Sequence, residues 1–187
     1  MRRLFAQAGM RDTCLDENGP IIANRGRQYE RDASGRLRNA PPVNNSCKWA
    51  GGGLLSTVLD LCTMGNVLLH AAGHLSGTPG SSSILSPAGV EAMWASFEPS
   101  ARSSWTGRGY GLGWVVQPER AEFGGHGGRL PLTWSHTGGA AGGSSVLLLL
   151  PGPRPVAVAI LANIGGVDLE PLARELARHF AAQASNK

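Results

Sequence analysis

Cysteine is scarce in the 187-residue sequence: Cys14, Cys47 and Cys62 are the only three, and no two form a C-x-x-C pair. An odd number cannot all be bridged and none has zinc-ligand spacing, which excludes a disulfide scaffold and a zinc module and fits a compartment without obligate disulfides. The five histidines are scattered. His70 and His74 stand four apart but lack the glutamate of H-E-x-x-H, so they read as the polar end of a helix and no metal site is expected. Long hydrophobic runs are missing too. The longest aliphatic stretch is Val146–Leu150, against the ~20 residues of a spanning helix, so no membrane span is expected. Charged residues make up only 16%, while hydrophobic residues reach 42%, a balance that excludes global disorder. There is no P-loop, no G-x-G-x-x-G opening a helix and no G-x-S-x-G nucleophile elbow. No cofactor is implied.

Glycine is abundant, with 27 residues, about twice the ~7% average usage. The glycines cluster without a fixed period, so collagen-like and solenoid architectures fail. The length suits one domain, or a large piece of one, able to bury roughly 70% of the surface of its unfolded chain. The net charge of +4 is N-terminal: Arg2, Arg3, Arg11, Arg25, Arg27, Arg31, Arg36, Arg38 and Lys48 all precede Trp49. These residues are dispersed through a Gly/Asn/Asp-rich stretch without interleaved aromatics, the pattern of a solvated surface loop and not of a nucleic-acid face.

Along the chain, residues 1–9 read as the last turns of a helix stopped by Gly9, which leads us to expect a fragment of a larger domain. Residues 1–48 are otherwise a surface loop region, 49–107 are helical, and 108–183 form a meander sheet plus a C-terminal helix. Ser56 is the expected N-cap of a helix whose Val58, Leu61, Cys62, Gly65, Leu68, Leu69 and Ala72 share a face, with Asp60 in its first turn and Gly73 past its end. Ser86 and Pro87 open a shorter helix that turns Val90, Met93 and Trp94 inward. From Gly109 to Val116 glycine alternates with large residues, as in a strand that has another backbone close on one face. A polar connection over 118–129 precedes strands expected at 132–138, 144–150 and 155–163, an antiparallel meander. Asp168 caps a last helix with Leu169, Leu172, Ala173, Leu176 and Phe180 as its core stripe. The class is α+β, an antiparallel sheet with flanking helices.

Ser135-His-Thr-Gly-Gly-Ala-Ala-Gly-Gly-Ser-Ser145 carries the unusual chemistry. Its strand offers an imidazole, the one side-chain type whose unperturbed pKa lies near neutral pH, a hydroxyl, and then two residues with no side chain. Such a strand lets an acyl substrate lie against its backbone and receive N–H donors at an oxyanion. The same residues also suit a tight Gly-rich turn beside a surface histidine.

The segment HTGGAAGGSSVLLLLP resembles the third signature, Lys/His-Thr-Gly, of the serine beta-lactamase and penicillin-binding protein superfamily. Trp49–Thr57 with Asp60 and Leu61, Leu85-Ser-Pro87 with Met93, Gly109–Trp114 and Ile160–Asn163 are similar to further landmarks of that family, in the same order. Asn45–Gly53 and residues 134–151 resemble its mitochondrial animal branch most. The resemblance covers Leu4 to about Phe180.

It implies the C-terminal part of a beta-lactamase/transpeptidase-like fold and a serine hydrolase acting on amide or ester bonds through an acyl-enzyme. For the mitochondrial branch it implies peptidase-like hydrolysis connected with lipid metabolism, a mitochondrial location and a peptide or acyl substrate; a homo-oligomer is left open. The family's Ser-x-x-Lys is absent: the residues three before Lys48 and Lys187, the only lysines, are Asn45 and Ala184. Tyr-x-Asn is absent as well, since Tyr29 and Tyr110 lead to Arg31 and Leu112. The chain should therefore carry one wall of the active site without its nucleophile and be inactive alone, unless it serves as a non-catalytic interaction or structural piece. On the family pattern His136 joins the proton network, Thr137 and Gly138 bind substrate, and the N–H of Gly139 forms half of an oxyanion hole. His136 and Gly138 are expected on one face of an edge strand with Thr137 at the rim of the cleft. Ser144 and Ser145 read as strand-start residues, and uncovered apolar surface is expected where further elements would pack.

Overall fold

The computed structural model describes residues 2–76, 84–96, 107–121 and 129–183. Its centre is a five-stranded antiparallel sheet in the order β11-β10-β9-β6-β5, built from β5 (Gly109–Tyr110), β6 (Val115–Gln117), β9 (Thr133–Ala140), β10 (Gly143–Leu150) and β11 (Val156–Ala162). The meander holds as expected, with β11 paired to β10 from Ser144↔Ala162 to Leu150↔Val156. The single strand expected over 109–116 is instead two. Gly111–Trp114 forms a turn between β5 and β6, closed by the Gly111 N–H donating to the Trp114 carbonyl at 2.8 Å, with Gly113 at φ +77°. The predicted cause, a backbone close on one face, holds at Gly111, where a Cβ would strike the Met93 carbonyl oxygen; at Gly109 a Cβ would strike the Ser96 side chain, and at Gly113 it would meet nothing within 4 Å.

Each face of the sheet carries its own core. Alternation along β10 sends Leu149 to one side and Val146, Leu148 and Leu150 to the other. On the first side lie α3 (Val58–Ala71) and α4 (Pro87–Trp94), whose Leu68, Leu69, Val90 and Trp94 join Trp114, Trp134 and Leu149 in a buried cluster. Trp94 stacks on Trp134 with ring centroids 3.7 Å apart, and Trp114 meets Trp94 edge-on. Helix α3 approaches the strands closely because residue 65 is glycine; a Cβ there would sit 2.8 Å from both the Ala157 Cβ and the Leu149 Cδ2.

On the second side lies α5 (Glu170–Gln183). Of the stripe expected, Leu169, just before the helix, and Ala173 are buried and Leu176 packs partly buried beside them, while Ala177 takes the remaining buried place. Leu172 and Phe180 are half exposed, because small residues let the helix sit close to the sheet and turn the bulky ones to its flanks. Asp168 does accept from the Glu170 backbone N–H, at 3.1 Å. At the start of α3 the cap is Thr57, not Ser56: the Thr57 side chain accepts from the Asp60 N–H. Ser56 instead bonds the Thr13 hydroxyl at 2.8 Å.

The N-terminal residues hold α1 (Arg2–Ala8), β1 (Cys14–Leu15), a hairpin of β2 (Tyr29–Arg31) and β3 (Leu37–Asn39), then α2 (Trp49–Gly52) and β4 (Leu54–Leu55), which pairs with β1. Helix α1 ends at Gly9, φ +77°, and buries Phe5, Ala8 and Met10 against Met64 and Ile84. Asp60 is buried and receives the Thr13 hydroxyl at 2.6 Å and the Asp12 N–H at 2.8 Å, fastening the loop to α3. A small ladder of β7 (Arg120–Ala121) and β8 (Arg129–Leu130) closes the connection between β6 and β9; residues 122–128 lie outside the described residues. Among the described residues no helix is long and apolar enough to cross a membrane.

Candidate active site

Strand β9 is internal for half its length only. Thr133, Trp134 and Ser135 are buried between β10 and β6, whereas β6 has no residue beside His136–Ala140, all of which are exposed. The expected edge strand is thus the second half of a strand whose first half is central. The difference follows from the three-residue length of β6, which ends its pairing at Val115↔Ser135.

Register fixes what this free edge presents. Ala141 and Gly142 form a two-residue turn between the paired Ala140 and Gly143, with Gly142 at φ +71°, so Ala140–Gly143 is a hydrogen-bonded pair. Hydrogen-bonded and non-bonded pairs alternate from there, and the backbone groups of Gly139 and Thr137 therefore point away from β10 toward the open side. No atom lies within 4 Å of where a Cβ at Gly139 would stand. Gly138 has a reason internal to the protein as well: a Cβ there would meet the Ser145 Oγ of its cross-strand partner. His136 pairs with Leu147 and, two residues from Gly138, shares its face; Thr137 pairs with Val146 on the other face. Ser144 is buried and structural, donating to the Ile164 carbonyl and accepting from the Val167 N–H.

One partner of the site was not assigned any role from sequence. The hydroxyl of Tyr110, on β5, lies 2.8 Å from Nε2 of His136, and the two rings meet edge-on at 67°. The signal available was Gly109-Tyr-Gly111, in which one face is reserved for a neighbouring backbone and a large polar aromatic is left over.

A second wall comes from α2, which lies against β9. Buried Asp16 sets its position. Its carboxylate meets Arg25 at 2.6 Å and Asn45 Nδ2 at 2.6 Å, and its N–H donates to the Gly53 carbonyl at 2.8 Å. Gly53 is packed so tightly that a Cβ would fall 2.7 Å from the Asn45 carbonyl oxygen.

A third polar group ties α5 to the sheet at the buried end of β9. Glu170 receives Arg108 Nη1 at 3.2 Å and Arg174 Nε at 3.0 Å, while Arg174 also donates to Thr133 and Arg108 to Gln117. Burial pushes the Glu170 carboxyl up, but the hydrogen bond and charge of Arg174 together with those of Arg108 outweigh it and hold the group below the usual glutamate range. A shallow concavity of about 320 Å³ lined by Tyr29, Leu37, Arg38 and Asn39 belongs to the β2–β3 hairpin and includes none of residues 136–139.

These elements match known proteins in order and shape. The beta-lactamase family model matches residues 1–182. The mitochondrial serine beta-lactamase-like protein LACTB of Mus musculus is 37% identical over 96% of this chain and 35% of its own length, and that of Homo sapiens 37% over 96% and 36%. The chain spans about a third of the length of these curated relatives. Among solved structures, the octameric penicillin-binding protein homologue from Pyrococcus abyssi superimposes with a TM-score of 0.69 at 22% identity, over 94% of this chain and 35% of that one. A D-stereospecific amidohydrolase from Streptomyces sp. gives 0.65 at 19% identity, over 94% and 46%. The beta-lactamase from Sulfitobacter sp. EE-36 gives 0.63 at 17% identity, over 99% and 52%. With the α+β sheet, the His-Thr-Gly segment on its central strand and a family model that matches residues 1–182, this chain belongs to the beta-lactamase family.

Proposed function

We propose that this chain is the C-terminal wall of a serine hydrolase active site that cleaves amide or ester bonds through an acyl-enzyme. The observation that carries the reading is the open half of β9, where the outward N–H of Gly139 stands three residues from His136 with no strand covering either. An acyl substrate laid along that edge adds as a strand would, receiving main-chain hydrogen bonds. The Gly139 N–H then serves as half of the oxyanion hole, Gly138 and Thr137 bind the substrate, and His136 takes part in proton transfer. The nucleophile and its base would come from Ser-x-x-Lys and Tyr-x-Asn segments preceding this region in a longer protein. We infer a mitochondrial location, following the name of the animal relatives, and, from the family resemblance alone, a peptidase-like activity connected with lipid metabolism. The octameric homologue supports a homo-oligomeric assembly for that longer protein. The 187 residues by themselves should not form an acyl-enzyme. The second reading, a non-catalytic interaction piece, is favoured only by the absence of Ser-x-x-Lys.

The test is Gly139→Pro in a longer protein that carries both missing signatures. Proline is tolerated where the N–H faces away from the ladder, so the substitution removes the donor without removing a bond to β10. Turnover should fall ~10²-fold or more, the usual cost of losing one oxyanion donor. A loss within about twofold would remove Gly139 from the mechanism. Stoichiometric labelling of the isolated chain by a fluorophosphonate would show that it carries its own nucleophile.

A further inference from the structure

We propose that Tyr110 is a positioning residue for this hydrolase: its hydroxyl donates to Nε2 of His136 and so places the proton of the neutral imidazole on Nδ1, making His136 an N–H donor at the free edge of β9. The inference rests on the functional reading above, in which His136 belongs to the proton network. Three observations carry it.

The first is the bond itself. At 2.8 Å the Tyr110 hydroxyl and Nε2 of His136 are within hydrogen-bond distance. A neutral imidazole has one N–H donor and one bare nitrogen, and the bond made at one nitrogen decides which form is present. The bare ring nitrogen is a better acceptor than a phenol oxygen and the phenol O–H a better donor than a neutral ring N–H. The O–H···N arrangement is therefore the stronger one, leaving the proton on Nδ1.

The second is the way Tyr110 is held. Gly109 and Gly111, on either side of it, are pressed against the end of α4, where a Cβ on either would collide with Ser96 or the Met93 carbonyl. The Leu112 N–H donates to that same carbonyl at 2.9 Å. The phenol is thus carried on backbone that cannot shift without opening the α4 contact, and its edge-on meeting with the imidazole fixes the ring plane.

The third is topology. Strand β6 pairs with β9 only as far as Ser135, so nothing of the sheet covers His136 on that side, and Tyr110 reaches across from β5 to occupy the position. The consequence is chemical. A histidine held in the Nδ1–H form presents an N–H donor to an acyl group laid along this edge.

The experiment uses the uniformly 15N-labelled 187-residue chain, recorded at a pH where the ring is neutral. Two-bond 1H–15N correlation spectra distinguish a protonated from a bare ring nitrogen, and His136→Asn identifies the His136 signals among those of the five histidines. Wild type should show a protonated Nδ1 and a bare Nε2. Tyr110→Phe keeps the ring and removes the hydroxyl; the tautomer ratio should then move about fivefold toward Nε2–H, the equivalent of a hydrogen bond of ~1 kcal/mol. The amide signals of Val146–Leu150 should stay in place, reporting an intact sheet. A wild-type His136 protonated on Nε2, or a ratio unchanged in Tyr110→Phe, overturns the role of Tyr110 whatever the protein hydrolyses. In the longer protein, Tyr110→Phe should lower kcat and leave KM. A tautomer shift without any change in kcat overturns instead the place of His136 in the reaction, and with it the reading on which this inference rests.

Discussion

Replacing Gly65 by alanine sets two opposed effects against each other at the contact between α3 and the sheet. In an exposed helix interior the change would stabilise by ~1 kcal/mol, because glycine is the poorer helix former. Here the new methyl would lie 2.8 Å from the Ala157 Cβ and 2.8 Å from the Leu149 Cδ2, with the Leu147 Cδ1 at 3.7 Å. Neither close neighbour can yield cheaply. The Ala157 Cβ is fixed to the backbone of β11, and Leu149 is fully buried among Leu68, Leu69 and the tryptophans. Inserting a methyl into such packing costs ~1–3 kcal/mol, and with two contacts this short the upper part of that range applies. The net expectation is a destabilisation of about 1–2 kcal/mol, the difference of these two figures. For a chain of this size that lowers Tm by roughly 3–6 °C. Urea unfolding followed by circular dichroism measures it. Combining the change with Ala157→Gly should recover part of the loss, since the two sites touch and their effects should not add. If Gly65→Ala raises Tm, helix propensity outweighs the collision and the close approach of α3 is wrong.

Glu170 supplies a pH-dependent prediction. Its folded-state carboxyl titrates below the usual glutamate range, so its contribution is complete above that range and disappears as pH falls through the lowered folded value. Glu170→Gln should therefore be less stable than wild type at pH 7, with the gap in urea midpoint closing as the solution is acidified below about pH 4.3; a gap independent of pH would refute the assignment. The cap of α3 gives another: Thr57→Ala should cost ~1 kcal/mol and Thr57→Gly only a few tenths, read as shifts in the urea midpoint. Equal losses would mean that the Thr57 side chain is not the cap.

The sheet was legible because its long strands obey a simple rule. Leu147–Leu150 and Val156–Ile160 are aliphatic runs between Gly/Pro turns, and β9, β10 and β11 lie within two residues of the expected limits. The hairpin inside 109–116 escaped because glycine alternation describes one strand packed on α4 and equally two short strands joined by a glycine turn. The stripe of α5 was legible in part: spacing identified Leu169, Ala173 and Leu176, but distance to the sheet decided that Ala177 would be buried and Leu172 and Phe180 would not. For the site, His136–Gly139 stood out by composition. That their edge is open depends on where β6 stops, and that His136 bonds Tyr110 depends on a fold bringing together residues 26 apart. Neither property leaves a local mark in the sequence.

The turn at Gly142 has a consequence for the order in which the molecule assembles. A Cβ at Gly142 would lie 2.6 Å from both the Gln28 and Ala40 Cβ atoms, so the chain leading into and out of the β2–β3 hairpin is clasped over the turn between β9 and β10. Tyr29 donates to the Asn163 carbonyl and accepts from the Gly165 N–H, and Asn163 bonds the Arg27 carbonyl across a separation of 136 residues. The meander is closed by short turns and pays little loop entropy, whereas the clasp must close a separation of 136 residues. Amides of β9 and β10 should accordingly gain protection from hydrogen exchange during refolding before Tyr29 and Gly165 do, and the reverse order would sink the idea. On this account the open half of β9 is a late-finished surface: its strand is laid down early, but the turn that carries it is secured only when the N-terminal segment arrives.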